Sequence, residues 1–284
     1  MARYDSIIIG AGHNGLVCAA YLAKSGQRVL VLEASGAPGG LAAGREFHPG
    51  FHASVAQSVS HFSQKVADDL KLTSHGFAAS EPMPTIGLSS GKEHVIVHKG
   101  SVNGASGDDA SAYKDYTRLM HRFADALKPF WLKTMPRIGM NSLAEMMTFA
   151  HIGLNIRRIG KDDMREFMRI ATLPARDLMD EYFDNDLLKA TLCWDGVIGS
   201  KLAPRSPNSA VLLLLYRMAA ESRGAHSIPA GGVNGLVEAL TAAATAAGAE
   251  IRCDTAVSRV MIEKSGRLGL SSSPCAASGL PSLI

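Results

Sequence analysis

A strand-like run, Ser6-Ile7-Ile8-Ile9, meets Gly10-Ala11-Gly12-His13-Asn14-Gly15, and a helical pattern follows at once. That order of parts admits few folds. In a βαβ unit of this kind Gly10 permits the tight turn out of the strand, Gly12 lets main chain approach a pyrophosphate, and Gly15 lets the helix lie close on the strand. The helix start then offers unpaired N–H groups and the positive end of its peptide dipoles to negative charge. Leu16, Ala19, Ala20 and Ala23 recur at helical spacing, with Gly26 as the stop. A second apolar run, Val29-Leu30-Val31-Leu32, ends on Glu33, about twenty residues beyond the first glycine. A carboxylate there accepts hydrogen bonds from a ribose hydroxyl and repels the extra phosphate of NADP. The residues predict an α/β nucleotide-binding fold and leave open which dinucleotide it takes.

Glu33 leads into Ala34-Ser35-Gly36-Ala37-Pro38-Gly39-Gly40, and a second glycine pair is more than an NAD fingerprint asks for. The string resembles the extended FAD-binding signature of the phytoene desaturase and amine oxidase superfamily, in which the second pair also approaches the cofactor. Gly39-Gly40-Leu41-Ala42-Ala43 followed by His48-Pro49-Gly50-Phe51 is similar to the phytoene dehydrogenase-related flavoproteins, including the pyridine nucleotide-disulfide oxidoreductase domain-containing protein 2 group. Leu41 stands where carotenoid desaturases and amine oxidases usually carry an arginine against the pyrophosphate, which argues against carotenoid chemistry. Pro174 to Leu178, Trp194 to Gly199 and Ile228 to Leu236 look like the same family, so that the resemblance runs from residue 3 to about 267.

The resemblance implies a Rossmann-type, glutathione-reductase-like FAD-binding domain with a largely helical substrate-domain insert. Residues 1–75 would form the FAD-binding βαβ unit, 76–225 a hairpin and mostly helical cap, and 226–267 the return to the FAD domain. FAD would be held by Gly10, Gly12, Gly15, Glu33, Gly39 and Gly40, with the backbone near Val257 meeting the adenine. The flavin would take a hydride from an apolar small molecule held by the insert. No catalytic acid or base is assigned; His13, His48, His52 and His61 are candidates by location alone.

Composition narrows the partners. The 284 residues are 46% hydrophobic and 19% charged, with a formal charge of +3 and a pI near 8.7. That balance is too mild for nucleic acid, and no basic block alternates with aromatics. The longest apolar run, Ala210 to Tyr216, falls far below the roughly 18 residues of a membrane span, although weak peripheral membrane contact is compatible with it. The first strand begins at once, which predicts no leader and a cytoplasmic location. Four cysteines, Cys18, Cys193, Cys253 and Cys275, form no C-x-x-C pair, so the dithiol of a disulfide reductase is missing. Mostly buried free thiols are expected, and no Cys/His set has metal-ligand spacing.

Further along, residues 52–80 read as irregular, while Thr85–Leu88 and His94–His98 read as a hairpin. Gly100 to Gly107 reads as a polar loop, and a long helix follows from Asp109, its cap, to about Lys133. Ser206 and Pro207 predict the start of a buried helix through Leu215. Val233, Leu236, Val237, Leu240 and Ala244 form one helical face with Gly248 as its stop, and the strands after it return to the first sheet. Residues 268–284 hold no charge and no alternation, and predict an irregular tail on a C-terminally truncated chain, read in a shifted frame. An NAD-dependent Rossmann dehydrogenase, and an inactive flavoprotein fragment, are the rival readings.

Overall fold

The computed structural model describes residues 4–91, 93–133, 142–206, 210–262, 268–274 and 282–283. In chain order the elements are β1 Ser6–Ile9, α1 His13–Lys24, β2 Val29–Leu32, β3 Arg45–His48, β4 Phe51–Ala53, α2 Gln64–Asp69, β5 Thr85–Gly87, β6 Val95–His98 and β7 Ser101–Asn103. They continue with α3 Gly107–Leu127, α4 Leu143–Arg158, α5 Lys161–Ile170, α6 Ala175–Tyr182, α7 Asp186–Val197, α8 Ala210–Met218, α9 Val233–Ala246, β8 Glu250–Arg252, β9 Thr255–Ile262 and β10 Leu268–Pro274. Two compact units emerge. The first comprises residues 1–59, 63–81 and 227–284, and the second 60–62 and 82–226. The first boundary thus falls at 81/82 where the sequence suggested 75/76, because Ala78 still accepts a hydrogen bond from the Ala230 N–H of the first unit.

The first unit is built on a parallel sheet of order β1-β2-β8, in which Ser6 faces Val29 and Leu30 faces Glu250. All four residues of β2 are buried, as a central parallel strand requires. Helix α1 buries Leu16, Ala19, Ala20 and Ala23, the four positions its spacing predicted, and ends where Gly26 takes a left-handed φ of 88°. On α9 the predicted face of Val233, Leu236, Val237, Leu240 and Ala244 is buried, and Gly248 ends the helix at φ 100°. Of the two strands expected to return to the first sheet only β8 does so, beside β2; β9 pairs with β10 in a separate sheet.

Two local expectations do not hold. The segment 52–80 is not wholly irregular: Phe51–Ala53 pairs with β3, α2 follows, and a 3-10 turn over Leu72–His75 buries Leu72 completely. The tail expected over 268–284 begins as strand β10, antiparallel to β9 from Leu268 opposite Ile262 to Pro274 opposite Thr255. An open strand edge supplies main-chain partners whatever the side-chain pattern, so absent alternation did not prevent pairing. Residues 275–281 and 284, with Cys275, lie outside the described residues.

The second unit has a three-stranded antiparallel sheet, β5-β6-β7, and a helical core. The predicted hairpin is β5 and β6. The expected polar loop after it contains β7, closed by Lys99 and Gly100 with φ of 45° and 76°, the paired positive values of a tight hairpin turn. Helix α3 is capped by Ser106, whose Oγ accepts the Asp109 N–H at 3.1 Å, rather than by Asp109. Asp109 turns inward instead. Its carboxylate, 4% exposed, accepts the N–H groups of Asp184 and Asn185 at 2.8 and 3.2 Å and so fixes the chain just before α7. Tyr116, Met120, Phe123, Ile170, Leu178, Met179 and Leu214 form the centre of the core, with Phe123 edge-on to Phe167 at 5.5 Å. Helix α8 buries Ala210, Val211, Leu214 and Leu215, while Leu212 and Tyr216 stay partly exposed; Pro207 lies outside the described residues.

Candidate functional site: a main-chain nucleotide cradle

The turn between β1 and α1 is shaped by its neighbours more than by its own side chains. The Gly10 N–H donates to the Leu32 carbonyl at 2.7 Å, and the Ala11 N–H donates to Glu33 Oε2 at 2.7 Å. Gly15 is the packing glycine: a methyl group there would collide with the Gly10 carbonyl oxygen, so only hydrogen lets α1 lie against the turn. Gly12 differs. It caps α1 in an extended conformation, no side chain fills the cap, no acid stands in the first turn, and an added Cβ would meet nothing within 4 Å.

The second glycine pair lies beside the first turn. Gly39 N–H donates to the Ala11 carbonyl at 2.8 Å, and Gly12 and Gly39 form a parallel bridge. With φ of 125°, Gly39 could not be an ordinary L-residue, and a Cβ would crowd Ala43 at 2.9 Å. A Cβ on Gly40 would come within 3.4 Å of Gly12 Cα. Two glycine turns, far apart in sequence, thus share one stretch of bare backbone.

Glu33 ties the cradle together and is 8% exposed. Its Oε1 accepts the Ser35 N–H at 2.9 Å and the Ser35 hydroxyl at 2.8 Å, while Oε2 holds Ala11. Burial pushes the carboxyl pKa up, but the hydrogen bonds from Ser35, Ala11 and Ala34 outweigh it and hold the group below the usual glutamate range. Glu33 is therefore an anion at neutral pH. Sequence reasoning gave it one task; it has a second, as a brace between the end of β2 and the glycine turn.

The remaining candidates are distributed unevenly. Val257 is partly buried against Leu30 and Leu32, beside Tyr4 and Ile7. His13 begins α1 and is exposed, and His48 is exposed with its ring edge on Phe51 at 5.6 Å. His52 lines a cavity of about 270 Å³ within the first unit, shared with Gly44, Gly231, Gly232 and Asn234, where the Gly44 N–H donates to Asn234 Oδ1 at 2.9 Å. This second pocket was not assigned from sequence, although the glycine pair that opens α9 was its visible sign. His61 belongs to the other unit, stacked on Tyr216 at 4.2 Å; burial, then the charge of Arg217, lowers its pKa and keeps it neutral. Leu41 is 66% exposed.

Of the described cysteines only Cys193 is buried, and burial raises its thiol pKa to about 11. Cys18 is exposed and Cys253 intermediate, which corrects the expectation of mostly buried thiols. No described helix is long and apolar enough to cross a membrane.

Residues 8–71 match a family model for an NAD(P)-binding Rossmann-like domain. A rat protein named pyridine nucleotide-disulfide oxidoreductase domain-containing protein 2 is 31% identical over 291 residues, 94% of this chain and 50% of that protein. The chain spans about half the length of such curated relatives. Among solved structures, an oxidoreductase from Methanosarcina mazei shares the fold at a TM-score of 0.56 and 19% identity, over 95% of this chain and 56% of that one. Putrescine oxidase bound to putrescine matches at a TM-score of 0.56 and 17% identity, over 97% and 55%. Over most of its length the chain is thus similar to pyridine nucleotide-disulfide oxidoreductase domain-containing protein 2, and its fold is that of a Rossmann-like NAD(P)/FAD-binding domain.

Proposed function

We propose that the chain is an FAD-dependent oxidoreductase of the dehydrogenase or desaturase kind, acting on an apolar small molecule. The observation that carries this reading is the pairing of Gly39 with the Gly10–Gly12 turn. One glycine turn accommodates a pyrophosphate; two side by side continue the bare backbone surface, which suits the longer contact of FAD with its binding domain better than NAD. The residues fit the cofactor: the space at Gly12 is open, the first N–H groups of α1 suit the pyrophosphate, and Glu33 suits an unphosphorylated ribose. When bound, FAD would supply the redox chemistry, accepting a hydride from the substrate. The chain would contribute binding, orientation and exclusion of competing anions, with Glu33 rejecting a ribose phosphate.

An NAD-dependent dehydrogenase is the second reading, favoured by the family model over residues 8–71. Mass spectrometry of the small molecule released when the purified protein is denatured separates the two. FAD is the expected product; recovery of NAD, or protection from unfolding by NADH and not by FAD, overturns the first reading.

A further inference from the structure

The second unit encloses a cavity of about 350 Å³, at the small end of the range for small-molecule pockets. Its walls are largely apolar, from Met83, Val97, Leu192, Leu214 and Met218. The charged groups on the wall are already engaged. Asp195 Oδ1 accepts from Arg217 Nη1 at 3.3 Å and meets His226 Nε2 at 2.8 Å, and the same Arg217 nitrogen donates to Ser60 Oγ at 3.0 Å. Arg223 pairs with Asp125 at 2.5 Å, and Lys99 has interactions of its own. A charged ligand would have to break one of these pairs.

Tyr116 is different. It lines the cavity, is 1% exposed, and its hydroxyl has no hydrogen-bond partner among the described residues, as is also so for His98 Nδ1 and Thr117 Oγ1 on the same wall. The ring is held edge-on by Tyr182 at 5.4 Å and Phe183 at 5.5 Å. Burial lifts its pKa well above 10, so the group keeps its proton and can donate it to an acceptor. An unpaired buried donor on a cavity wall needs a partner, and a bound molecule with an acceptor oxygen can supply one.

We infer that this cavity binds a neutral, mainly apolar small molecule bearing one carbonyl or hydroxyl oxygen, which accepts a hydrogen bond from Tyr116. As the identity of the substrate this rests on the oxidoreductase reading; as a binding site it does not.

Calorimetric titration of the full chain with three probes of one shape tests it: 4-tert-butylcyclohexanone, tert-butylcyclohexane and 4-tert-butylcyclohexanecarboxylate. The ketone should bind about tenfold more tightly than the other two, the discrimination expected of one hydrogen bond. Tyr116→Phe, which keeps the ring contacts, should remove the ketone's advantage over the hydrocarbon, and Met218→Trp should abolish binding by filling the space. Equal binding of ketone and hydrocarbon, a preference for the carboxylate, no binding at all, or an advantage that survives in Tyr116→Phe would each overturn the inference. Flavin content is read on the same preparation. Flavin-bearing protein that ignores the ketone sinks this inference alone; flavin-free protein that selects it supports the inference and removes the cofactor reading.

Discussion

The nucleotide cradle of the first unit and the cavity of the second are built on opposite principles. The cradle is main chain. Its shape depends on positions where only glycine is tolerated, Gly15 beneath the helix and Gly39 at φ 125°, and such positions announce themselves in a sequence. The cavity is made of side chains drawn from residues 82 to 225, each an ordinary apolar or aromatic residue where it stands in the chain. What differs is where the constraint resides: in local backbone conformation for one, in long-range packing for the other.

The largest effect should come from the side-chain side of this contrast. Phe123→Ala empties the centre of the second unit's core and should cost about 4 kcal/mol, seen as faster hydrogen exchange across α3, α5 and α8 with β1, α1 and β2 unchanged. Were exchange to accelerate equally in both units, the confinement of Phe123 to the second unit's core would be refuted.

Gly15→Ala comes next, adding one methyl group against the Gly10 carbonyl. Displacing α1 should cost about 3 kcal/mol, lower the Tm and remove dinucleotide binding together. An unchanged Tm would mean that the helix does not lie as closely on the turn as described.

Glu33→Gln is smaller, about 2 kcal/mol, since it weakens charge-assisted bonds from Ala11 and Ser35 without removing the side chain. Its pH dependence gives the sign. The folded-state pKa of Glu33 lies below its unfolded value, so its stabilisation is complete above the ordinary glutamate range and is lost as pH falls through the lowered folded value. Urea titrations from pH 7 to pH 3 should show the wild type approaching Glu33→Gln as the acid is protonated. A constant difference across that range would contradict the assignment.

Why one half was legible follows from the same contrast. The spacing of Leu16, Ala19, Ala20 and Ala23 and the stops at Gly26 and Gly248 are short-range features, and each is realised in the structure. Asp109 was misjudged because a carboxylate at the start of a helix has two competing uses, and the chain near Asp184, some distance away in sequence, decided between them. Strand β10 was missed because the edge of β9, not its own residues, gives it partners. Glu33 was recognised for its place after β2, but its brace to Ala11 requires knowing that the turn folds back over it.

Gly12 is the position on which the cradle depends most directly: any residue can adopt its conformation, and its missing side chain leaves open space. Equilibrium titration with FAD of the wild type and of Gly12→Val, alongside the Tm of each protein without cofactor, separates a cofactor glycine from a structural one. The cradle predicts unchanged Tm values and at least about a hundredfold weaker FAD binding in the variant, roughly 2.7 kcal/mol. Equal FAD affinity in the two proteins, or no FAD binding by the wild type, would contradict it.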